Sequence, residues 1–185
     1  MTFGLPKTLT VSGREEPIRY EYTAILDAIS AMNDPELDNG EKMYAFLFII
    51  YENFEEFSQD DFKSAFDSAI EFINNGADED RKSKIKVVDY EQDYRIMIPA
   101  INRVAGKEIR NEEDIHWWTF LGWFMEIGEC TYSTVLNIRS KKGKGKKLES
   151  WETDFYNSNR SMVDIRPKLT KEEKEAEDWL NNFLR

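Results

Sequence analysis

The sequence predicts a mainly α-helical protein: a compact domain of about seven to eight helices with a short N-terminal β-hairpin or extended arm. Through most of the chain, apolar residues recur at the three- and four-residue steps of an amphipathic helix. β-Branched residues next to a turn signal occur near the N-terminus. Hydrophobic residues make up 41% of the chain, which is enough to bury a core.

The N-terminal arm is predicted over residues 1–22, and the helical domain over residues 23–185. Within the arm, Thr8–Val11 and Ile18–Tyr20 favour extended structure, and Ser12-Gly13 between them indicates a turn. A lone hairpin is only marginally stable in water. We therefore expect the arm to lie on a helix or on a partner.

Three helices are predicted after the arm. The first begins near Tyr22 and ends before Pro35, which cannot continue a helix. The second, Glu41–Glu52, is apolar almost all round and is expected at the centre of the domain. The third carries one apolar stripe and ends at Asn75-Gly76, a C-cap signal. Charged and small residues then predict a solvated loop and a sub-boundary of the domain near 77–87.

Two further helices are predicted beyond this loop. Asp89 is expected to cap the first, with Gln92 in the capping-box position, and Pro99 predicts a kink or an early break. The second is the Trp-rich segment Glu112–Ile127, preceded by Asn111 as N-cap. Apolar side chains cover more than half of its circumference, so we expect the core helix of the C-terminal half here.

The C-terminal part is predicted to hold three more helical stretches. Helical spacing continues from Tyr132 to Arg139 and is followed by a basic, glycine-containing loop over 139–147. Another apolar stripe begins at Leu148. The final helix opens with a capping box at Thr170. Its apolar face consists of Ala176, Trp179, Leu180 and Phe183.

No catalytic or metal site is expected. The chain has one histidine, His116, and one cysteine, Cys130, which excludes an internal disulfide and a cysteine-based zinc site. Nothing in the sequence brings these two residues together as a nucleophile and its base. The acidic cluster Asp78–Asp80 lacks the ligand spacing of an EF-hand. We therefore expect a non-enzymatic protein without cofactors, in a reducing compartment.

The net charge of −11 disfavours general binding to phosphate backbones. A basic run is the exception, and its lysines are candidate partner-binding residues: Lys141, Lys142, Lys144, Lys146 and Lys147. No aromatic residues alternate with them for base stacking. A flexible linker or a dock for an acidic protein surface is therefore favoured over contact with nucleic acid.

The tryptophans allow two interpretations. They fill the core, with Trp118 in the interior, or one or two of them, such as Trp117 or Trp123, anchor a partner. A well-filled core is the favoured interpretation, and the second rests on the enrichment of tryptophan among the hot spots of interfaces. The last helix offers another candidate contact through Trp179 and Phe183, because it is amphipathic and terminal.

Three segments occur in a characteristic order: Val88–Asp93, His116–Leu121 and Ile138–Glu149. Together they resemble a family of small proteins of siphophages that infect Gram-positive bacteria, over roughly residues 40–160. Members are typically encoded just upstream of the tape measure protein and are regarded as tail assembly chaperones. The resemblance implies binding to the tape measure protein, with the tail tube protein as a further partner, self-association, and a location in the host cytoplasm. It implies no catalytic residue.

The implied mechanism is physically coherent. A tape measure chain is long, helical and rich in apolar faces, so it would aggregate before the tail tube encloses it. A soluble acidic protein that coats those faces would keep the complex in solution.

Two other functions are considered. One is a phage regulatory or nucleic-acid-associated protein that uses the basic loop 139–147, and the other is an enzyme with paired carboxylates. No membrane span is expected, because the longest apolar run, Met43–Tyr51, is far shorter than the ~20 residues that cross a bilayer. Residues 1–7 also lack the pattern of a signal peptide.

Overall fold

The computed structural model describes residues 4–75 and 85–183, and it confirms a mainly helical protein with an N-terminal hairpin. The chain forms two compact units. One is built from Pro6–Phe72 together with the chain from Arg166 onward, and the other mainly from Ile73–Ile165. The predicted C-cap residue Gly76 and most of the predicted sub-boundary lie outside the described residues. No helix within the described ranges is long and apolar enough to cross a membrane.

The hairpin forms as predicted. Strand β1 (Thr8–Val11) pairs antiparallel with strand β2 (Arg14–Pro17). The turn residues Ser12 and Gly13 have φ angles of 48° and 82°, the left-handed values that a type I′ turn requires. An antiparallel bridge between Ile18 and Tyr51 follows. It ties the hairpin to a helical end, which a marginally stable hairpin needs.

Nine α-helices and two 3-10 turns lie within the described ranges. The 3-10 turns are Phe54–Glu56 and Ile109–Asn111. The helices are α1 (Tyr22–Met32), α2 (Asn39–Ile50), α3 (Asp61–Ile73), α4 (Tyr90–Ala105), α5 (Trp117–Met125), α6 (Thr131–Gly143), α7 (Ser150–Ser158), α8 (Arg160–Val163) and α9 (Lys171–Phe183).

Helix α2 was expected at the centre of the domain. That expectation is wrong for one face of the helix, which is exposed to solvent. A capping box between Asp38 and Glu41 fixes its start. Its buried face consists of Phe46, Leu47 and Ile50. The opposite positions Tyr44 and Phe48 are 54% and 48% exposed. Each of these two rings packs on Phe54 in the following 3-10 turn, and no second layer covers them.

Helix α4 runs through Pro99, so the predicted early break is wrong. Asp89 caps the helix as predicted, because its carboxylate accepts the Gln92 backbone N–H at 3.0 Å. Pro99 itself is exposed. The flanking apolar residues Met97, Ile98, Ala100 and Ile101 are all at most 6% exposed. Burial of this face outweighs the loss of one backbone hydrogen bond at the proline.

Helix α5 begins at Trp117, later than the predicted start at Glu112. The expected cap residue Asn111 belongs to a 3-10 turn instead, and the N-cap is His116. The His116 side chain accepts the Trp118 backbone N–H through Nδ1 at 3.0 Å. This histidine, 4% exposed, therefore has a structural role at a helix end.

Helix α6 extends to Gly143, so the prediction of a loop from Arg139 is wrong for the first half of that segment. Cys130 caps the helix at its other end, where the thiol accepts the Ser133 backbone N–H at 3.4 Å. Burial of Arg139, described below, keeps this part of the chain helical.

Candidate protein-binding surface

A buried ion pair lies within the Ile73–Ile165 unit. The Arg139 guanidinium donates to both carboxylate oxygens of Asp93 at 2.6 and 2.8 Å, and both side chains are at most 5% exposed. Further guanidinium N–H groups donate to the backbone carbonyls of Val87, Met162 and Val163. Such full satisfaction is what allows a charged pair to be buried. The pair fastens α4, α6 and α8 together.

Asp164 collects a second set of polar contacts in this unit. Gln92 donates from Nε2 to the Asp164 backbone carbonyl at 2.8 Å. The carboxylate accepts from Lys142 Nζ at 2.7 Å and from the Tyr156 hydroxyl at 3.0 Å. Two segments of the family resemblance, 88–93 and 138–142, therefore meet in a packed polar network. The residues that carry the resemblance in these two segments therefore include side chains that hold the unit together.

Glu152 is a second fully buried carboxylate, and it holds the side chain of Lys141. Its oxygens accept from Lys141 Nζ at 2.7 and 2.8 Å, from Asn137 at 2.9 Å and from the Glu149 backbone N–H at 2.8 Å. The Lys141 ammonium, followed by the Glu149 amide, lowers the pKa of Glu152. Two of the five lysines predicted to bind a partner, Lys141 and Lys142, are thus engaged within their own unit.

Acid is expected to destabilise the fold through Glu152. Because its folded-state pKa lies below the ordinary value of 4.5, its contribution is fully present above pH 4.5 and is lost as the pH falls through the lower folded-state value. Replacing Glu152 by Gln should therefore flatten the fall of melting temperature in this acidic range. As a control, Asp67→Asn alters a carboxylate that is 60% exposed and should preserve the wild-type slope. An unchanged slope in Glu152→Gln would contradict this role.

The other three lysines lie at the C-terminal end of α6 and are here called the lysine cap (Lys144, Lys146 and Lys147). Gly145 has a φ of 65°, and its N–H donates to the Lys142 carbonyl while the Lys146 N–H donates to the Lys141 carbonyl. This pair of bonds is a Schellman motif. The cap lysines are exposed. They add positive charge at the negative end of a helix dipole. Because hydrogen bonds hold the backbone that carries them, a dock for a partner is favoured over a flexible linker.

The tryptophans of α5 differ in burial. Trp117 is 1% exposed, its indole N–H donates to the Ile73 carbonyl at 2.9 Å, and its ring stacks on Phe120 with centroids 5.5 Å apart. Trp123 is partly buried. Trp118, which the sequence placed in the interior, is also only partly buried. The structure therefore places the Trp117 ring inside its unit, where it contributes to packing.

Helix α9 carries three large apolar side chains that are exposed to solvent. Trp179, Leu180 and Phe183 are 66%, 48% and 73% exposed and are here called the α9 apolar face. The rings of Trp179 and Phe183 stack with centroids 5.4 Å apart and planes inclined by 13°. The capping box at Thr170 and Glu173 forms as predicted, with N–H to oxygen distances of 2.8 and 3.1 Å. A helix with a capped N-terminus therefore presents two stacked aromatic rings to solvent.

A second exposed surface lies on α2, and the apolar pattern of that segment did not predict it. Tyr44 and Phe48 stand one helical turn apart with nearly parallel rings, 6.5 Å between centroids. Four exposed acidic residues flank these two rings along the chain: Glu41, Glu52, Glu55 and Glu56. They were the signal that one side of this apolar segment faces water. These six residues are here called the α2 patch.

These features define a helical protein with exposed aromatic surfaces, and no group of three or more potential metal ligands lies in the described ranges. The chain matches the family model described as Bacteriophage Gp15 protein over residues 3–165. It therefore belongs to this bacteriophage protein family. No curated protein and no solved structure matches the chain.

Proposed function

We propose that this protein is a non-enzymatic tail assembly chaperone, which binds the phage tape measure protein and keeps it soluble in the host cytoplasm during tail morphogenesis. The observation that carries the proposal is the α9 apolar face. Three large hydrophobic side chains are exposed on one helix of an acidic chain. Exposed apolar surface of this kind typically marks a site of interaction with another protein.

The charge of α9 supports a particular kind of partner. The sequence of the helix contains five acidic residues and two lysines in addition to its apolar residues. Such a surface suits an apolar helical stripe that is flanked by lysine or arginine, because attraction between opposite charges orients the two helices. Amphipathic segments of a tape measure chain, the partner that the sequence resemblance implies, would offer this chemistry.

The expected affinity per copy is modest. Full burial of a Trp, Leu or Phe side chain contributes about 1.5–3 kcal/mol each, and association costs offset much of the total. Many copies along one long chain would nevertheless bind firmly together and still be displaced one at a time. This suits a coat that must leave when the tail tube protein assembles.

Coexpression with the tape measure protein of the same phage tests the proposal. The tape measure protein should be largely insoluble alone, and it should become soluble and co-purify with this protein when both are made. A tape measure protein that stays insoluble and unassociated in the presence of this protein would remove the proposal.

A nucleic-acid-associated role through 139–147 has weaker support. Lys141 and Lys142 are bound to Glu152 and Asp164, so only the lysine cap remains to contact phosphates. The acidic charge of the chain opposes such contacts.

A further inference from the structure

We propose that copies of this protein associate head to tail, with the lysine cap of one copy docked on the α2 patch of the next. Two surfaces of opposite charge carry this inference, one from each compact unit. The association does not depend on the proposed function, because neither surface includes the α9 apolar face.

The α2 patch combines apolar area with negative charge. Tyr44 and Phe48 both pack edge-on against Phe54, with ring centroids 4.9 and 6.2 Å away. Phe54 is 5% exposed, so it fixes the two outer rings from below and leaves their outer faces to solvent. The glutamates at 41, 52, 55 and 56, which flank the two rings along the chain, are exposed. Rings with electron-rich faces beside carboxylates form a surface that attracts lysine.

The lysine cap is the complementary surface. Its three side chains are exposed, and among the side chains that the structure describes no carboxylate forms an ion pair with them. The Schellman hydrogen bonds hold the backbone that carries them, so less conformational entropy is lost on docking than for a flexible loop.

The lysine cap is comparable in length to the helical part of the α2 patch. The Cα atoms from Lys144 to Lys147 span at most about 11 Å. Along α2, the rise from Glu41 to Phe48 is about 10 Å. The chain already contains this type of contact, since Lys142 Nζ lies 3.6 Å from the ring centroid of Tyr156 while it pairs with Asp164. A cap lysine over Tyr44 or Phe48 beside a glutamate would repeat that arrangement.

This geometry determines the type of assembly. The two surfaces differ, so the contact is heterologous, and each added copy leaves one free cap and one free patch. The products are rings or open chains whose formation depends on protein concentration. Because the interface is electrostatic and exposed, salt should weaken it: the screening length is ~10 Å at 0.1 M salt and ~3 Å at 1 M.

Sedimentation velocity of the full chain at low and high salt tests the inference. The wild type should form species larger than the monomer at low salt, and these should disappear at high salt. Charge reversal of either surface should abolish association, and mixing the two reversed variants should restore it, because each then meets an opposite charge. The cap variant is Lys144→Glu with Lys146→Glu and Lys147→Glu, and the patch variant is Glu52→Lys with Glu55→Lys and Glu56→Lys. The control with the same charge change as the cap variant is Lys63→Glu with Arg95→Glu and Lys107→Glu.

The control should associate like the wild type, and all variants should keep the wild-type circular dichroism spectrum, since the altered side chains are exposed. A wild type that stays monomeric at low salt overturns the inference, as does a cap variant that still associates. So does a mixture of cap and patch variants that remains monomeric. If the wild type instead stays monomeric and the cap lysines retard DNA in a mobility-shift assay, the cap serves phosphate binding and the inference is wrong.

Discussion

Replacing Arg139 by Met should lower the free energy of unfolding by about 3–5 kcal/mol, because it leaves the Asp93 carboxylate buried without its partner. Asp93 is 0% exposed, and Arg139 supplies two of the hydrogen bonds to its oxygens. The same substitution releases the carbonyls of Val87, Met162 and Val163. Urea denaturation of the variant and the wild type measures the difference.

Two further variants show whether the loss comes from the buried charge. Lys63→Met removes an exposed ion pair, with side chains 87% and 60% exposed, and should change stability by no more than ~1 kcal/mol. Combining Arg139→Met with Asp93→Leu removes both charges and should recover much of the loss. An Arg139→Met variant as stable as Lys63→Met would contradict the role of this pair.

Replacing Trp117 by Ala should destabilise the protein by about 3–5 kcal/mol, the range for truncating a large buried aromatic side chain. The indole is 1% exposed, stacks on Phe120 and donates its N–H to Ile73. The truncation therefore opens a cavity and leaves the Ile73 carbonyl without this donor. Denaturant unfolding again provides the measurement.

The neighbouring Trp118 supplies the matched control for this prediction. Trp118→Ala removes the same number of atoms from a partly buried position, so its cost should be clearly smaller than that of Trp117→Ala. Equal costs, or a larger cost at Trp118, would show that Trp117 does not organise the packing around α5.

The parts of the fold that could be predicted from the sequence are those decided by local chemistry. Ser12-Gly13 predicted the hairpin turn, because the turn requires left-handed φ values and glycine adopts them without steric cost. Asp89 and Thr170 marked helix starts through side-chain oxygens that accept backbone N–H groups. The start of α5 was mispredicted because an imidazole, a less common cap than Asn111, accepts the bond there.

The exposed surfaces were predictable only in part. The α9 apolar face followed from periodicity, since its residues share one side of a helix whose other sides are charged. Helix α2 is apolar on nearly all sides, and periodicity cannot say which side other elements leave uncovered. Trp117 and Trp118 are adjacent in sequence, and tertiary contacts alone decide which one is buried.

The sequence alone also could not distinguish the paired lysines of the basic run from the exposed ones. Its five members are equivalent in the sequence, yet Lys141 and Lys142 pair with Glu152 and Asp164, which follow 11 and 22 residues later. Only the fold separates these structural lysines from the three of the lysine cap.

The most direct test of the α9 apolar face compares two double variants in coexpression with the tape measure protein. Trp179→Ser with Phe183→Ser removes the two stacked rings of α9, and Met125→Ser with Trp151→Ser removes side chains 67% and 56% exposed in the other unit. Hot-spot aromatics each contribute about 2 kcal/mol or more, so the α9 variant should recover at least about tenfold less soluble tape measure protein. The control should match the wild type. An α9 variant that solubilises the tape measure protein as well as the wild type does would contradict the proposal that this face is the binding surface.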